Sequence, residues 1–261
     1  MQYIVKDVKD FNLDHIFDCG QCFRWEKQED ESYVGAALGK VVRVSMQGKD
    51  VIIDNCTEED YNTLWKCYLD MDRDYSAIKE GLSRGDEVLE KASKYGYGIR
   101  ILKQDFWETV VSFIISQNNN IKRIKGIIER LCETYGDRLE KGYSFPAAEK
   151  IAKLSVDDLA PLRCGFRAKY IIDAAKKVAN GEINFDYIKT LPIDDARKEL
   201  TKIYGVGDKV ADCTLLFGLG FAEAFPKDVW IKRAMPLLFP NGLPEGCKGI
   251  EGIIQQYIFS Y

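Results

Sequence analysis

The stretch from Leu200 to Met235 carries a lysine and an aspartate, Lys209 and Asp228, in settings that chemistry can use. Lys209 follows Gly205-Val206-Gly207 at the expected start of a helix, and Cys213 falls four residues later on the same helix face. Two glycines around one small apolar residue permit a tight turn with backbone N–H groups exposed at a helix start. Such a turn can hold a phosphate without a basic side chain. Asp228, after Pro226-Lys227, reads as the N-cap of a helix containing Ile231, Ala234 and Leu237. Taken singly, each feature has an ordinary structural explanation: a turn between helices, a solvated lysine, a capping aspartate.

Three further segments have chemical potential. Cys19-Gly20-Gln21-Cys22 reads as a redox pair or half of a metal site, with His15 as a third ligand. There is no second CxxC and no other histidine, so a closed zinc site lacks an obvious fourth ligand. Asn118-Asn119-Asn120 follows the apolar run Trp107 to Ile115, which by itself means a helix ending in a turn. The terminal Gln255 to Tyr261 reads by itself as an amphipathic last helix.

These residues must be positioned by two kinds of structure. From Phe23 to Asn55 short runs alternate: Tyr33 to Ala36, Val41 to Ser45, and Val51 to Ile53. Gly39-Lys40 and Gln47 to Asp50 separate them with turn chemistry, which predicts an antiparallel meander. From Thr57 the periodicity is helical, with Ile121, Ile124, Ile127, Ile128 and Leu131 on one face and Tyr170, Ile171, Ala174 and Val178 on another. The expected fold is α+β: a small antiparallel sheet domain over residues 1–100, packed on a mostly helical body over residues 101–261. The hairpin lies at about 199–217, and the last helix packs back on the first domain.

Composition bounds the reading. With 46% hydrophobic and 30% charged residues the chain is a globular protein rather than a disordered one. Its opening MQYIVKDVKD has no uninterrupted apolar core, so no secretory signal is expected, and no apolar run is long enough for a membrane span. The eight cysteines are then expected to be reduced and mostly buried. A net charge of −4 runs against a strongly basic nucleic-acid binder, but phosphate contact depends on a local patch.

Taken together, Ile203 to Gly207, Lys209, and Pro226 to Asp228 resemble the helix-hairpin-helix and Gly/Pro–Asp motif of base-excision DNA glycosylases. Tyr204 stands where many relatives have proline. Lysine at the Lys209 position marks members that also cleave the strand. An unprotonated amine attacks the sugar carbon, displaces the base and forms a Schiff base that permits β-elimination. The resemblance makes Asp228 the stabiliser of positive charge on the sugar.

Further segments resemble the 8-oxoguanine DNA glycosylase/AP lyase family. Gly20 to Trp25 matches a Gly-Gln-x-Phe-Arg-Trp loop, which implies that the Gly20 carbonyl accepts the N7–H that distinguishes oxidised guanine. The Asn triplet implies that Asn118 fills the gap left by the extruded base, while Arg123 and Arg167 address the orphaned cytosine. Phe166, where many relatives have tyrosine, wedges beside that cytosine. By the same resemblance Gln255 bonds the flipped base, and Phe259 and Cys213 sandwich its ring. Trp230 replaces a phosphate-binding histidine of eukaryotic relatives, so that contact is not carried over.

The resemblance implies a partner, duplex DNA containing oxidised guanine, and a monomer without membrane contact. It would act in the cytoplasm at the nucleoid of a prokaryote or in the nucleus of a eukaryote. No cofactor is required. A sodium or potassium ion is expected on the backbone carbonyls of Thr201, Ile203 and Val206. Only Cys247 lies beyond Cys213, so the iron–sulfur cluster of endonuclease III-like relatives cannot be assembled there. The rival readings are an alkylation-repair glycosylase of the same superfamily and a non-catalytic DNA-binding hairpin protein.

Overall fold

A computed structural model describes residues 1–261. The expected meander forms a five-stranded antiparallel sheet: β1 (Gln2–Val5), β2 (Trp25–Lys27), β3 (Tyr33–Ala37), β4 (Lys40–Gln47) and β5 (Asp50–Asp54), in spatial order β1-β5-β4-β3-β2. The β3–β4 connection is a two-residue turn with Leu38 and Gly39 both at positive φ, closing the Ala37↔Lys40 pair. That backbone twist matches the twist of the flanking strands. β1 lies outside the predicted span, because a four-residue edge strand with half-exposed side chains is specified only by pairing with distant β5. One sheet face buries Trp25, Tyr33, Val42, Val44, Val51 and Ile53 with Phe11, Phe17, Trp65 and Leu69. Gly35 is required beneath Trp25, since a Cβ there would lie 2.2 Å from the indole ring.

The helical body has its own core, organised around the Phe106–Ser116 helix, which buries every residue from Phe106 to Ile115 except Glu108. Asp105 caps its start, accepting from the Glu108 N–H at 2.8 Å. The Ile121–Tyr135, Arg167–Ala179 and Asp208–Thr214 helices contribute apolar stripes to this core. Tyr75, Leu82, Leu89 and Ile99, all before residue 100, belong to the same core, and the last helix (Glu251–Ser260) packs on the Glu87–Tyr95 helix.

One expectation about a helix face needs correction, and two residues are more exposed than their neighbours on the same helices. The last helix is not amphipathic: Gly252 through Ile258 are all buried, because neighbours cover it on every side. Ile121 is 50% exposed although it continues the stripe of Ile124, because it opens the helix at the rim of a cleft. Leu237 is 82% exposed, beyond the reach of the core that holds Ile231. No helix is long and apolar enough to cross a membrane.

Candidate active site

A cleft of about 950 Å³ is bounded by the loop after the first helix, the end of the Phe106–Ser116 helix, the hairpin helix and the chain terminus. It brings together Gly20, Asn118, Phe166, Gly207, Lys209, Asp228 and Phe259, which span 240 residues of sequence. Cys213, Gln255 and Arg167 are buried and do not line it. Arg123, Gly205 and Val206 also lie outside its lining.

Lys209 is partly buried in the first turn of the Asp208–Thr214 helix. Its Nζ lies 3.4 Å from Ser116 Oγ and 5.1 Å from the Phe113 ring centroid, and it forms no ion pair with a carboxylate. Ser116 and Phe113 were not singled out from sequence, where they read only as the end of an apolar helix. Cys213 borders the amine. Burial pushes its thiol up to about 11, while Lys209 pulls in the opposite direction. Asp228 caps the Val229–Leu238 helix as expected, accepting from the Ile231 N–H at 2.7 Å. This fixes one carboxylate oxygen while the residue still lines the cleft.

Gly20 enters the opposite wall at φ +82°, and a Cβ built there would lie 3.9 Å from Phe259. The next residue, Gln21, is fully buried and holds this turn. Its amide donates to the Ile16 and Arg100 carbonyls, both at 2.8 Å, and accepts from the Leu102 N–H at 2.9 Å. Arg24 pairs with Glu108 at 3.2 Å, and Trp25 Nε1 donates to Tyr68 at 2.9 Å. The polar residues of this motif therefore brace the loop that presents Gly20. All eight cysteines are free, and burial pushes the Cys19 thiol up to about 12, which removes the thiolate that redox chemistry needs. His15 Nδ1 accepts from Gly98 N–H at 3.3 Å, and no three potential ligands group as a metal site. The metal reading of the CxxC has no support.

Each asparagine of the triplet has its own task. Asn118 adopts φ +48°, Asn119 donates to the Ile115 carbonyl at 3.1 Å, and Asn120 caps the next helix by accepting from the Arg123 N–H at 2.9 Å. Asn tolerates the left-handed conformation better than most residues. The two arginines differ. Arg123 is exposed, whereas Arg167 is 2% exposed and donates to the carbonyls of Gln117, Asn118 and Cys164. Here Arg167 buttresses the loop carrying Asn118. Its guanidinium also stacks 4.4 Å from the centroid of Phe166, which is 50% exposed.

The hairpin runs from the Ile193–Leu200 helix to Gly207. Gly205 has φ +81°, and a Cβ there would lie 2.4 Å from the Tyr170 ring, so this position requires glycine twice over. The Tyr204 N–H donates to Asp173 at 2.6 Å, a bond that proline could not make. Gly207 is extended and faces open space. The Ile203 carbonyl accepts from Val206 N–H, while the Thr201 and Val206 carbonyls take no such bond, leaving oxygen ligands of the kind a hard cation takes.

At the terminus, Phe259 and Ser260 line the cleft, whereas the Gln255 amide oxygen accepts from Gln256 at 2.7 Å behind it. Trp230 stands edge-on to Phe259, with ring centroids 6.2 Å apart. Lys227, beside Asp228 in the motif, and Lys232, which no local pattern marks, add positive charge to this side of the cleft.

Two family models match in succession. Residues 3–110 match the 8-oxoguanine DNA glycosylase N-terminal domain, and residues 111–244 match the HhH-GPD superfamily of base excision DNA repair proteins. The crystal structure of Clostridium acetobutylicum 8-oxoguanine glycosylase/lyase in its apo form superposes with a TM-score of 0.93 at 43% identity, covering 100% of this chain and 96% of that one. The same protein in complex with double-stranded DNA containing cytosine opposite 8-oxoguanine gives 0.92, again at 43%, covering 100% and 97%. The N-glycosylase/DNA lyase of Saccharomyces cerevisiae is 31% identical over 251 residues, 85% of this chain and 66% of that protein's length. With both family models matched in order around one cleft, this chain belongs to the 8-oxoguanine DNA glycosylase family, within the helix-hairpin-helix superfamily of base excision repair proteins.

Proposed function

We propose that this protein excises 8-oxoguanine from duplex DNA and then cleaves the strand, with Lys209 as nucleophile. One observation carries the reading: a lysine amine without a carboxylate partner shares a cleft with Asp228, while Gly20 and Phe259 form a facing wall. A flipped base enters between that wall and Lys209. The Gly20 carbonyl accepts N7–H, and Phe259 stacks on one face of the ring with Cys213 behind the other. The Lys209 nitrogen forms a bond to C1′ as the bond from C1′ to the base breaks, and the base leaves with the electron pair. Asp228 offsets positive charge on the sugar. Ring opening gives the Schiff base, and loss of a C2′ proton then expels the 3′ phosphate.

The hairpin N–H groups at Gly205 and Gly207 receive a backbone phosphate, while the Val206 N–H, given to the Ile203 carbonyl, closes the turn between them; sodium or potassium on the Thr201, Ile203 and Val206 carbonyls braces it. The protein acts as a monomer, at the nucleoid or in the nucleus according to its host, and needs neither an iron–sulfur cluster nor any other cofactor. Opposite-base choice falls chiefly to exposed Arg123, with Phe166 stacking and Arg167 holding the Asn118 loop. A charged hydrogen bond to cytosine is worth about 1.5–3 kcal/mol.

Borohydride trapping on duplexes with 8-oxoguanine opposite cytosine or adenine tests the whole reading. A reducible adduct is expected with the unsubstituted protein, and Lys209→Gln should abolish both trapping and excision while retaining lesion binding. Normal turnover by Lys209→Gln would refute the assignment. It would favour a water-activating alkylation-repair enzyme, while binding without any turnover by the parent would favour a non-catalytic hairpin protein. Arg123→Ala should narrow the ratio of activity opposite cytosine to that opposite adenine. Equal losses would leave Arg123 a backbone contact only.

A further inference from the structure

Lys209 shares the cleft and the hollow beside it with five carboxylates, Asp14, Asp18, Asp208, Asp212 and Asp228, and pairs with none. Asp208 precedes it, Asp212 follows on the next turn of the same helix, and Asp228 shares the cleft. Asp212 has the spacing that ordinarily captures a lysine, since residues three apart on a helix are neighbours. It is also 6% exposed, and a buried carboxylate needs a partner. That partner is Arg197, on the other helix of the hairpin, whose Nε lies 2.7 Å from Asp212 Oδ1. The Arg197 Nη1 holds Asp194 at 2.7 Å on its outer side. Arg197, Asp208, Lys209 and Asp212 line one hollow of about 280 Å³, together with Lys227 and Lys232.

We propose that Arg197 is a positioning residue for the reaction: by engaging Asp212 it keeps that carboxylate off the Lys209 amine, which stays free to lose its proton. The inference rests on Lys209 being the nucleophile. Attack requires the nitrogen lone pair, and a carboxylate at roughly 4–6 Å holds an ammonium proton over about 1–3 further pH units. Burial raises the Asp212 carboxyl, Arg197 opposes that rise, Asp208 adds to it and Lys227 opposes it. Without Arg197, the cations lining the hollow are Lys209, Lys227 and Lys232. Around Lys209 stand Asp208, Asp212 and Cys213 from its own helix, Phe113 and Ser116 from the central helix, and Lys227, Asp228 and Lys232 from the capped helix and the residues before it; Asp14, His15, Asp18 and Cys19 line the same cleft from the first helix and the loop after it.

Single-turnover borohydride trapping on an abasic-site duplex, followed against pH, tests this. Arg197→Met should move the acid limb of the trapping rate upward by about one unit or more, making trapping about tenfold slower below the limb with an unchanged plateau. Arg197→Lys should keep the parent profile, and Arg197→Met combined with Asp212→Asn should restore it. An unmoved limb in a natively folded Arg197→Met overturns the proposal. So does a shift that persists in the double variant, because Arg197 would then merely fasten the hairpin. If Arg197→Met does not fold, Asp212→Asn alone decides. The profile should stay put, and a limb lowered by a unit would mean that Asp212 acts on Lys209 despite Arg197. No trapped adduct with the unsubstituted protein would overturn the Lys209 assignment itself. An adduct with an unmoved limb overturns this inference alone.

Discussion

The Gly20 turn and the Gly205–Gly207 turn both present backbone near the cleft, yet they are held by opposite means. The first is pinned by polar side chains reaching across the chain: Gln21 to Arg100 and Leu102, and Arg24 to Glu108. The second is held locally by two flanking helices, the Tyr204 N–H on Asp173, and Gly205 packed flat on Tyr170. In the proposed mechanism the first turn reads one atom of a base, which needs its position fixed by many bonds, and the second receives a phosphate, which needs exposed N–H groups and little else.

The largest expected effect breaks the first turn. Gln21→Leu leaves the Arg100 carbonyl and the Leu102 N–H unpaired in the interior and the Ile16 carbonyl with only the Cys19 thiol; at about 1–3 kcal/mol for each unpaired group, stability should fall by about 2 kcal/mol or more. Urea unfolding measures it, and a loss below about 1 kcal/mol would show that the bracing is dispensable.

Next, the two hairpin glycines should separate. Gly205→Ala meets left-handed strain and the Tyr170 ring, and should cost about 2–3 kcal/mol. Gly207→Ala is extended with open space around it, so stability should change by less than about 0.5 kcal/mol. DNA affinity should nonetheless fall if a phosphate approaches there. Equal stability losses at both glycines would contradict the local account of this turn.

The smallest effect concerns pH. Burial pushes the Glu108 carboxyl up to about 7, with Arg24 opposing and Asp105 adding to the rise. The folded state therefore binds this proton more tightly than the unfolded chain. Its contribution is full below the unfolded value and is lost as pH rises toward 7. The slope is at most about 1.4 kcal/mol per pH unit, and solvent access lowers it. Glu108→Gln should flatten the urea midpoint against pH between acid and neutral conditions. An unchanged slope would mean that Arg24 holds Glu108 ionised throughout.

Much of this protein was legible in its residues. The meander, the helix breaks, the Asp228 cap and the glycine turn before Lys209 all appear where local rules put them, because turn chemistry, periodicity and capping act over four or five residues. Lys209 and Asp228 could be singled out because their types and spacing sit on such local features. Tertiary structure alone decided the rest. Arg123 and Arg167 look alike in sequence, but only packing makes one an exposed side chain and the other a buried brace on three carbonyls. The last helix reads as amphipathic until neighbours surround it, and Gln255 then turns out to bond Gln256 behind the cleft. Likewise, whether Lys209 pairs with Asp212 cannot be read from their spacing of three, because the outcome depends on an arginine delivered by another helix. Burial and charge pairing are set by what the chain brings close from far along its length, and no local pattern encodes that.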